Sequence, residues 1–184
     1  MRRIILILIT YIACLPFISA QTIGVKTNLL YDVTSTMNLG LEAGLGKKWS
    51  LELPVNYNPW SFPSNRKIKH WLIQPELRFW LCEKFNGHFF GLHSHVAGYN
   101  VAGIKRTGFE NFRYEGYAYG GGLSYGYQWI LGKRWSLEAT VGLGYVFLDY
   151  GKYPCGVCEP KIKDAEKHYF GPTKAGVSLI YIIK

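Results

Sequence analysis

Alternation between apolar residues and small or polar residues is the feature that most constrains the fold of this chain. From position 135 to position 147, every second residue is apolar: Trp135, Leu137, Ala139, Val141, Leu143, Tyr145 and Phe147. The residues between them begin Ser136, Glu138, Thr140, Gly142 and Gly144. Successive side chains of a β-strand point to opposite faces, so this segment predicts a strand with one apolar face and one small or polar face.

The same alternation recurs along the chain, and helical periodicity is nearly absent. The other predicted strands lie at residues 23–31, 38–45, 49–58, 71–79, 90–96, 117–129 and 174–183. In the strand that begins near residue 90, the phase of the alternation slips near Gly98. Eight such segments, in a chain with 21 Gly, 14 Tyr, 10 Phe and 6 Trp, predict an all-β fold.

The predicted connections alternate between short and long. Short turns are predicted at residues 46–48, 82–87 and 132–134, and long loops at Pro59–His70, Ile104–Gly116 and Tyr150–Gly171. This layout is typical of outer-membrane barrels, so we predict an eight-stranded antiparallel up-and-down transmembrane β-barrel. The alternative is a soluble barrel of the lipocalin type, in which the apolar face would line a cavity. Inward glycines and aromatic residues near strand ends favour the membrane barrel.

Residues 1–20 predict a secretory signal peptide. Arg2 and Arg3 give a charged start, an apolar run follows from Ile4 to Ile12, and small residues end the segment at Ala20. Lipidation of Cys14 is disfavoured by Tyr11, three positions before it. We therefore expect a barrel domain at residues 21–184 in a bacterial outer membrane. Its net charge is +7, because the leader carries two of the nine net positive charges of the full chain.

Several charged residues fall on the inward face of the predicted barrel. They are Lys26, Glu42, Glu52, Glu76, Arg78 and Glu138, and Lys174 by extension of the same pattern. Buried charges must pair or change their protonation state, so we expect a salt-bridge network that fills the bore. The alternative is a narrow gated or proton-sensitive channel. An eight-stranded bore is just wide enough to be filled by its own side chains, which favours the network.

His93 and His95 share one face of a predicted strand, which is a weak indication of a metal site because a third ligand is not evident. Ser94 lies between them and points to the opposite face, so neither imidazole could activate it in a regular strand. We therefore expect no enzymatic activity, no cofactor and no metal. A lipid-modifying enzyme is the least favoured function.

Three cysteines follow the predicted leader. Cys155 and Cys158 stand together in the last predicted loop, where an oxidising exterior favours a local disulfide. A metal site that includes His168 would lack a fourth ligand. Cys82 lies at the opposite end of the predicted barrel and is expected to be a free or buried thiol.

The predicted long loops are basic. They carry Arg66, Lys67, Lys69, Lys105, Arg106, Arg113, Lys161 and Lys163. These residues form either an ordinary solvated surface or a contact with lipopolysaccharide phosphates or an acidic partner. Nucleic acid is not an expected partner, because the predicted compartment lies outside the cytoplasm.

Five stretches carry a resemblance to a known family. They are KTNLLYD from Lys26, WSLELPVNYNPW from Trp49, KHWLIQPELRFW from Lys69, GHFFGLH from Gly87 and YFGPTKAG from Tyr169. Together they resemble small outer-membrane barrels of the Bacteroidetes that are classed as a domain of unknown function. The resemblance implies the barrel, the leader and the compartment, and it weakly suggests surface or fimbria-like proteins as partners. It brings no catalytic residues, so we expect a structural or surface-interaction protein.

Overall fold

The computed structural model describes residues 22–62, 66–104, 109–154 and 160–183. This part of the chain contains ten strands and one short helix. In chain order they are β1 (Ile23–Asn28), α1 (Leu29–Val33), β2 (Met37–Gly44), β3 (Trp49–Asn58), β4 (Ser61–Phe62), β5 (Arg66–Ile73), β6 (Glu76–Trp80), β7 (Gly87–Ile104), β8 (Phe109–Ile130), β9 (Trp135–Pro154) and β10 (Lys163–Ile183).

The strands form one closed antiparallel sheet. Neighbours follow the order β2, β1, β10, β9, β8, β7, β6 and β3, and β3 pairs with β2 to close the barrel. Strands β5 and β6 occupy the same place in the wall, because each pairs with β3 on one side and β7 on the other. The interruption between them contains Pro75, which has no N–H to give to a ladder. The wall therefore has eight positions, which confirms the predicted eight-stranded antiparallel barrel, and β4 is an additional short strand beside β5.

The polar face of the strands lies inside the barrel and the apolar face lies outside. Arg78 and Glu42 are completely buried, whereas Leu123, Val141 and Leu143 are 68%, 63% and 60% exposed. This arrangement excludes the alternative in which the apolar face lines a cavity.

Exposed aromatic side chains form two rings on the outer wall. The ring at the end with short turns, called the turn end below, contains Trp49, Phe90, Tyr125, Trp129 and Trp135. The ring towards the opposite, outer end contains Tyr57, Trp71, Tyr117, Tyr119, Tyr145 and Phe170. Exposed leucines and valines lie between the two rings. From Trp49 to Tyr57 this apolar belt spans nine residues of β3, which are eight steps and about 26 Å along the strand.

The connections at the turn end are short, as the alternation predicts. They link β2 to β3, β6 to β7 and β8 to β9. Residues 23 and 183 pair at this same end, so both ends of the described chain lie there.

The long loops predicted at the outer end are largely strand instead. Strand β5 begins at Arg66, β8 at Phe109 and β10 at Lys163, and β7 and β9 continue to Ile104 and Pro154. The polar and basic residues of these segments have the composition of loop residues. Their main-chain groups are satisfied by cross-strand pairing, which a local pattern does not reveal. Strands β5 and β7–β10 therefore form a sheet above the barrel mouth, called the outer sheet below.

The irregularity in β7 lies further along the strand than the phase slip near Gly98 predicts. Its pairing with β8 runs without a break past Gly98 as far as Ala102, and the irregularity follows at Gly103. Gly103 has a φ of 69°, a conformation that glycine adopts readily and that shifts the strand locally.

Candidate functional site in the barrel interior

Arg78 is the centre of a buried charge network. Strand β6 alternates, so it directs Glu76 and Arg78 into the bore. Nε of Arg78 donates to Glu76 at 2.7 Å, and Nη1 donates to Glu138 at 2.7 Å and to Glu42 at 3.0 Å. Nη2 donates to the second oxygen of Glu138 at 3.1 Å and pairs with Glu52. One guanidinium thus binds four carboxylates, and its planar geometry suits such multiple contacts.

Two lysines complete the network. Nζ of Lys26 lies 2.6 Å from Glu42 and 3.1 Å from each of two further carboxylates. Nζ of Lys174 lies 2.9 Å from Glu52 and 2.6 Å from Glu76. The network therefore includes every interior charge predicted from the sequence: Lys26, Glu42, Glu52, Glu76, Arg78, Glu138 and Lys174. Three cations face four carboxylates at one level of the bore, so the charges are nearly balanced.

Neutral side chains give further hydrogen bonds to the carboxylate oxygens. The Ser50 hydroxyl donates to Glu42 at 2.5 Å, and the Thr140 hydroxyl donates to Glu138 at 2.9 Å. Nε1 of Trp80 donates to Oγ of Ser50 at 2.8 Å, which connects the network to the side chains at the turn end. A buried charge cluster is stable only when such additional hydrogen bonds are made.

An apolar plug closes the bore beneath this network. Trp80, Phe85, Phe89 and Ile180 are all buried at the turn end. The Trp80 ring centroid lies 4.7 Å from that of Phe89 and 6.0 Å from that of Phe85. The guanidinium of Arg78 lies 4.3 Å from the Phe89 ring centroid, so the plug and the charge network are in direct contact.

Sequence reasoning missed this plug. Trp80 lies two residues after Arg78, so the alternation along the strand predicts that its side chain also points into the bore. Phe85 carried no such signal, because it belongs to the turn between β6 and β7 and enters the bore with a φ of 63°. Only the folded turn shows where its side chain points.

The bore above the network is polar and narrow. It holds a cavity of about 30 Å³ whose lining includes Asn38, Asn56, Gln74, Thr140 and Ser178. This volume is enough for roughly two water molecules. Among the described residues, the side chains thus fill the bore, as expected for an eight-stranded barrel.

His93 and His95 stack on the same face of β7, with ring centroids 6.0 Å apart. Nε2 of His93 lies 2.9 Å from the Thr173 hydroxyl, and Nδ1 lies 4.0 Å from Glu76. Ser94 is exposed on the outer wall opposite Gly121, in a regular part of the ladder, so neither imidazole reaches it. In the described ranges, no group of three His, Cys, Asp or Glu side chains is arranged to hold a metal ion.

The cysteines lie in two different regions. Cys82 is exposed and free in the turn between β6 and β7. Cys155 and Cys158, the predicted disulfide, lie outside the described residues.

Most of the predicted basic loop residues lie on strands. Arg66, Lys67 and Lys69 belong to β5, Arg113 belongs to β8, and Lys163 begins β10. The Arg113 guanidinium lies 4.4 Å from the Tyr153 ring centroid. Lys161 precedes β10 and pairs with Asp164, and this hydrogen bond raises the pKa of the Lys161 ammonium. Lys105 and Arg106 lie outside the described residues.

Within the ranges that the structure describes, no helix has the length and apolar character needed to cross a membrane. Neither the comparison with curated proteins nor the comparison with solved structures gave a match. A family model described as "Protein of unknown function (DUF3575)" matches residues 5–183, nearly the whole chain. This eight-stranded barrel with a buried charge network therefore belongs to the DUF3575 family.

Proposed function

We propose that this protein is an outer-membrane β-barrel with a closed bore that presents its outer sheet to partners at the cell surface. The observation that carries the proposal is the distribution of polarity across the barrel wall. Charged side chains are buried inside, while large aliphatic side chains are exposed outside. In water this distribution would expose a continuous apolar band, whereas in a lipid bilayer the same band is satisfied.

The aromatic borders of the apolar belt support a membrane location. Aromatic rings at both interfaces, with an apolar band roughly 25 Å tall between them, characterise outer-membrane barrels. Here Trp49 and Trp135 lie at the turn end, and Tyr57 and Tyr117 lie at the outer end. Antiparallel pairing of β1 with Ser178–Ile183 of β10 closes the belt at the turn end. The short turns would then face the periplasm and the outer sheet the exterior.

The buried network and the apolar plug support a structural rather than a conducting bore. Arg78, with its four carboxylate partners, spans the interior, and Trp80 and Phe89 lie directly beneath it. We therefore do not propose a channel. We also propose no catalytic role, because the exposed Ser94 and the buried His93 cannot act together.

The outer sheet offers contacts to two kinds of partner, lipid phosphates and surface proteins. Lys69 and Arg113 lie on the outer sheet near the outer aromatic ring, where lipid phosphates of the outer leaflet would be within reach. Surface proteins, including the fimbria-like proteins that the resemblance suggested, would meet the outer sheet itself.

Membrane fractionation combined with heat-modifiable gel mobility tests the membrane location. We expect the full chain in the outer-membrane fraction, with unboiled protein migrating differently from boiled protein because the closed barrel resists the detergent. A protein recovered in the soluble periplasmic fraction, with no shift on boiling, would refute the proposal.

A further inference from the structure

Strand β10 has an open edge above the barrel. It pairs with β9 from Lys163 to Tyr181, but it pairs with β1 only from Ser178 to Ile183. Among the described residues, positions 163–177 of β10 therefore have a strand neighbour on one side only. An open edge presents unpaired N–H and C=O groups, which can pair with an additional strand.

The lower part of this edge is already satisfied. Nδ2 of Asn28 donates to the Ala175 carbonyl at 3.3 Å, and its Oδ1 accepts from the N–H of Val177 at 3.2 Å. Pro172 has no N–H to satisfy. The part that stays open is residues 163–170, called the β10 edge below, which has an extended length of about 26 Å.

The strand register indicates which N–H and C=O groups of β10 point away from β9, towards the open edge. The N–H of Ile182 donates towards β9, to Arg134 at 2.8 Å, whereas that of Val177 points away from β9. The ladder to β9 shifts by one residue between Pro172 and Lys174. Above this shift, the even-numbered residues direct their N–H and C=O groups to the open side. Those residues are Asp164, Glu166, His168 and Phe170. Pro172 is also an even-numbered residue above the shift, so its missing N–H removes no hydrogen bond from the ladder to β9.

The β10 edge begins at Phe170 of the outer aromatic ring and extends outwards from it to Lys163, and most of its side chains are exposed. Phe170 pairs with Tyr145 of that ring, and Glu166 pairs with Asp149 further out. On the proposed membrane location, the part of the edge beyond Phe170 is therefore outside the lipid and accessible from the exterior.

Two like-charge pairs flank the edge. Glu166 lies directly opposite Asp149, and Lys163 lies directly opposite Lys152. Like charges in register destabilise a sheet, and opposite charges on a further strand would offset them. The added strand that fits best carries a basic residue opposite Glu166 and an acidic residue opposite Lys163.

The direction of β10 favours a different protein over a second copy. All pairings among the described strands are antiparallel. Two copies in one membrane would have β10 running in the same direction, so they could not form such a ladder with each other. We propose that the β10 edge binds an extended segment of another surface protein by antiparallel strand addition. This inference rests on the proposed surface role and names its partner class.

Peptide binding to the full chain, folded in lipid nanodiscs, tests the inference. The probe is the fluorescent peptide Thr-Val-Thr-Glu-Arg-Val-Thr-Glu, which places arginine opposite Glu166 and glutamate opposite Lys163. His168→Pro removes one N–H from the open side and leaves the ladder to β9 intact, so we expect roughly tenfold weaker binding. The matched control is His168→Thr, which keeps the N–H and should bind within about twofold of the native chain.

N-methylated peptides separate main-chain pairing from charge attraction. Methylation of the peptide residues whose N–H faces the edge should abolish binding, and methylation of the alternate residues should not. Binding that is equal for both peptides, or absent for a chain that passes the heat-modification test, would overturn the inference. A peptide-free dimer that is lost in His168→Pro would also overturn it, since the edge would then pair two copies.

The two proposals fail in distinguishable ways. A chain found outside the outer membrane refutes the proposed function, whatever the peptide does. A correctly inserted barrel that ignores every peptide refutes strand addition alone.

Discussion

At the scale of single residues, Arg78 organises the interior of the barrel. It is completely buried, and its guanidinium contacts four carboxylates that come from four different strands: Glu42 of β2, Glu52 of β3, Glu76 of β6 and Glu138 of β9. Each partner lies where the alternation of its strand directs it inwards. The network thus links distant parts of the wall through one side chain.

We expect Arg78→Ala to destabilise the folded barrel strongly. The substitution leaves four buried carboxylates with two lysines, and loss of one partner from a buried ion pair costs about 3–5 kcal/mol. Urea titration in lipid vesicles, read by heat-modifiable gel mobility, measures the loss. Arg113→Ala is the control, because its partly exposed side chain makes a 3.9 Å ion pair with Glu115, and such pairs contribute less than about 1 kcal/mol. Equal unfolding midpoints for the two variants would contradict the central role of Arg78.

At the scale of elements, the wall consists of short strands on one side and long strands on the other. Strands β1, β2 and β3 have 6, 8 and 10 residues, whereas β7 to β10 have 18, 22, 20 and 21. A membrane-crossing strand needs about 9–11 residues. The longer strands therefore have roughly twice the length that a bilayer requires, and the excess forms the outer sheet. The apolar belt lies between the two aromatic rings, below this outer sheet.

We expect arginine substitutions on the outer wall to have effects that depend on depth. Leu123 lies in the apolar belt and Leu131 in a turn, and they are 68% and 62% exposed. In a bilayer, Leu123→Arg should cost about 2–4 kcal/mol and Leu131→Arg about 0–1 kcal/mol. Urea titration in vesicles measures both. Because the two side chains are almost equally exposed, a barrel that resides in water would show no difference between the variants.

At the scale of the whole molecule, the two ends of the barrel differ. Short turns, both ends of the described chain and the aromatic plug lie at one end. The outer sheet and its open β10 edge lie at the other. This asymmetry predicts a single orientation in the membrane, with the outer sheet exposed to the exterior.

Cys82 provides a natural reporter of that orientation. It is exposed and free in a turn at the end proposed to face the periplasm. A membrane-impermeant maleimide should therefore leave Cys82 unmodified on intact cells and modify it after the outer membrane is permeabilised. Peptide mass spectrometry distinguishes it from Cys155 and Cys158 and also reads out whether those two are joined. Modification of Cys82 on intact cells would place the short turns outside.

The amino-acid sequence alone determined the eight wall positions, the inward charges and the short turns. Each depends on a local rule, since side chains alternate along a strand and turns interrupt that alternation. Lys26, Glu138 and Arg78 could be assigned to the bore without knowing which strands were neighbours. The members of the charge network could therefore be predicted together, although their pairwise contacts could not.

The tertiary structure decided what depends on which strands meet and how far they pair. The extension of β8 and β10 into predicted loops follows from cross-strand hydrogen bonds, which no single segment encodes. The entry of Phe85 into the bore follows from the conformation of one turn. The β10 edge exists because β1 ends at Asn28 while β10 continues. Such mismatches between neighbours appear only when the barrel closes.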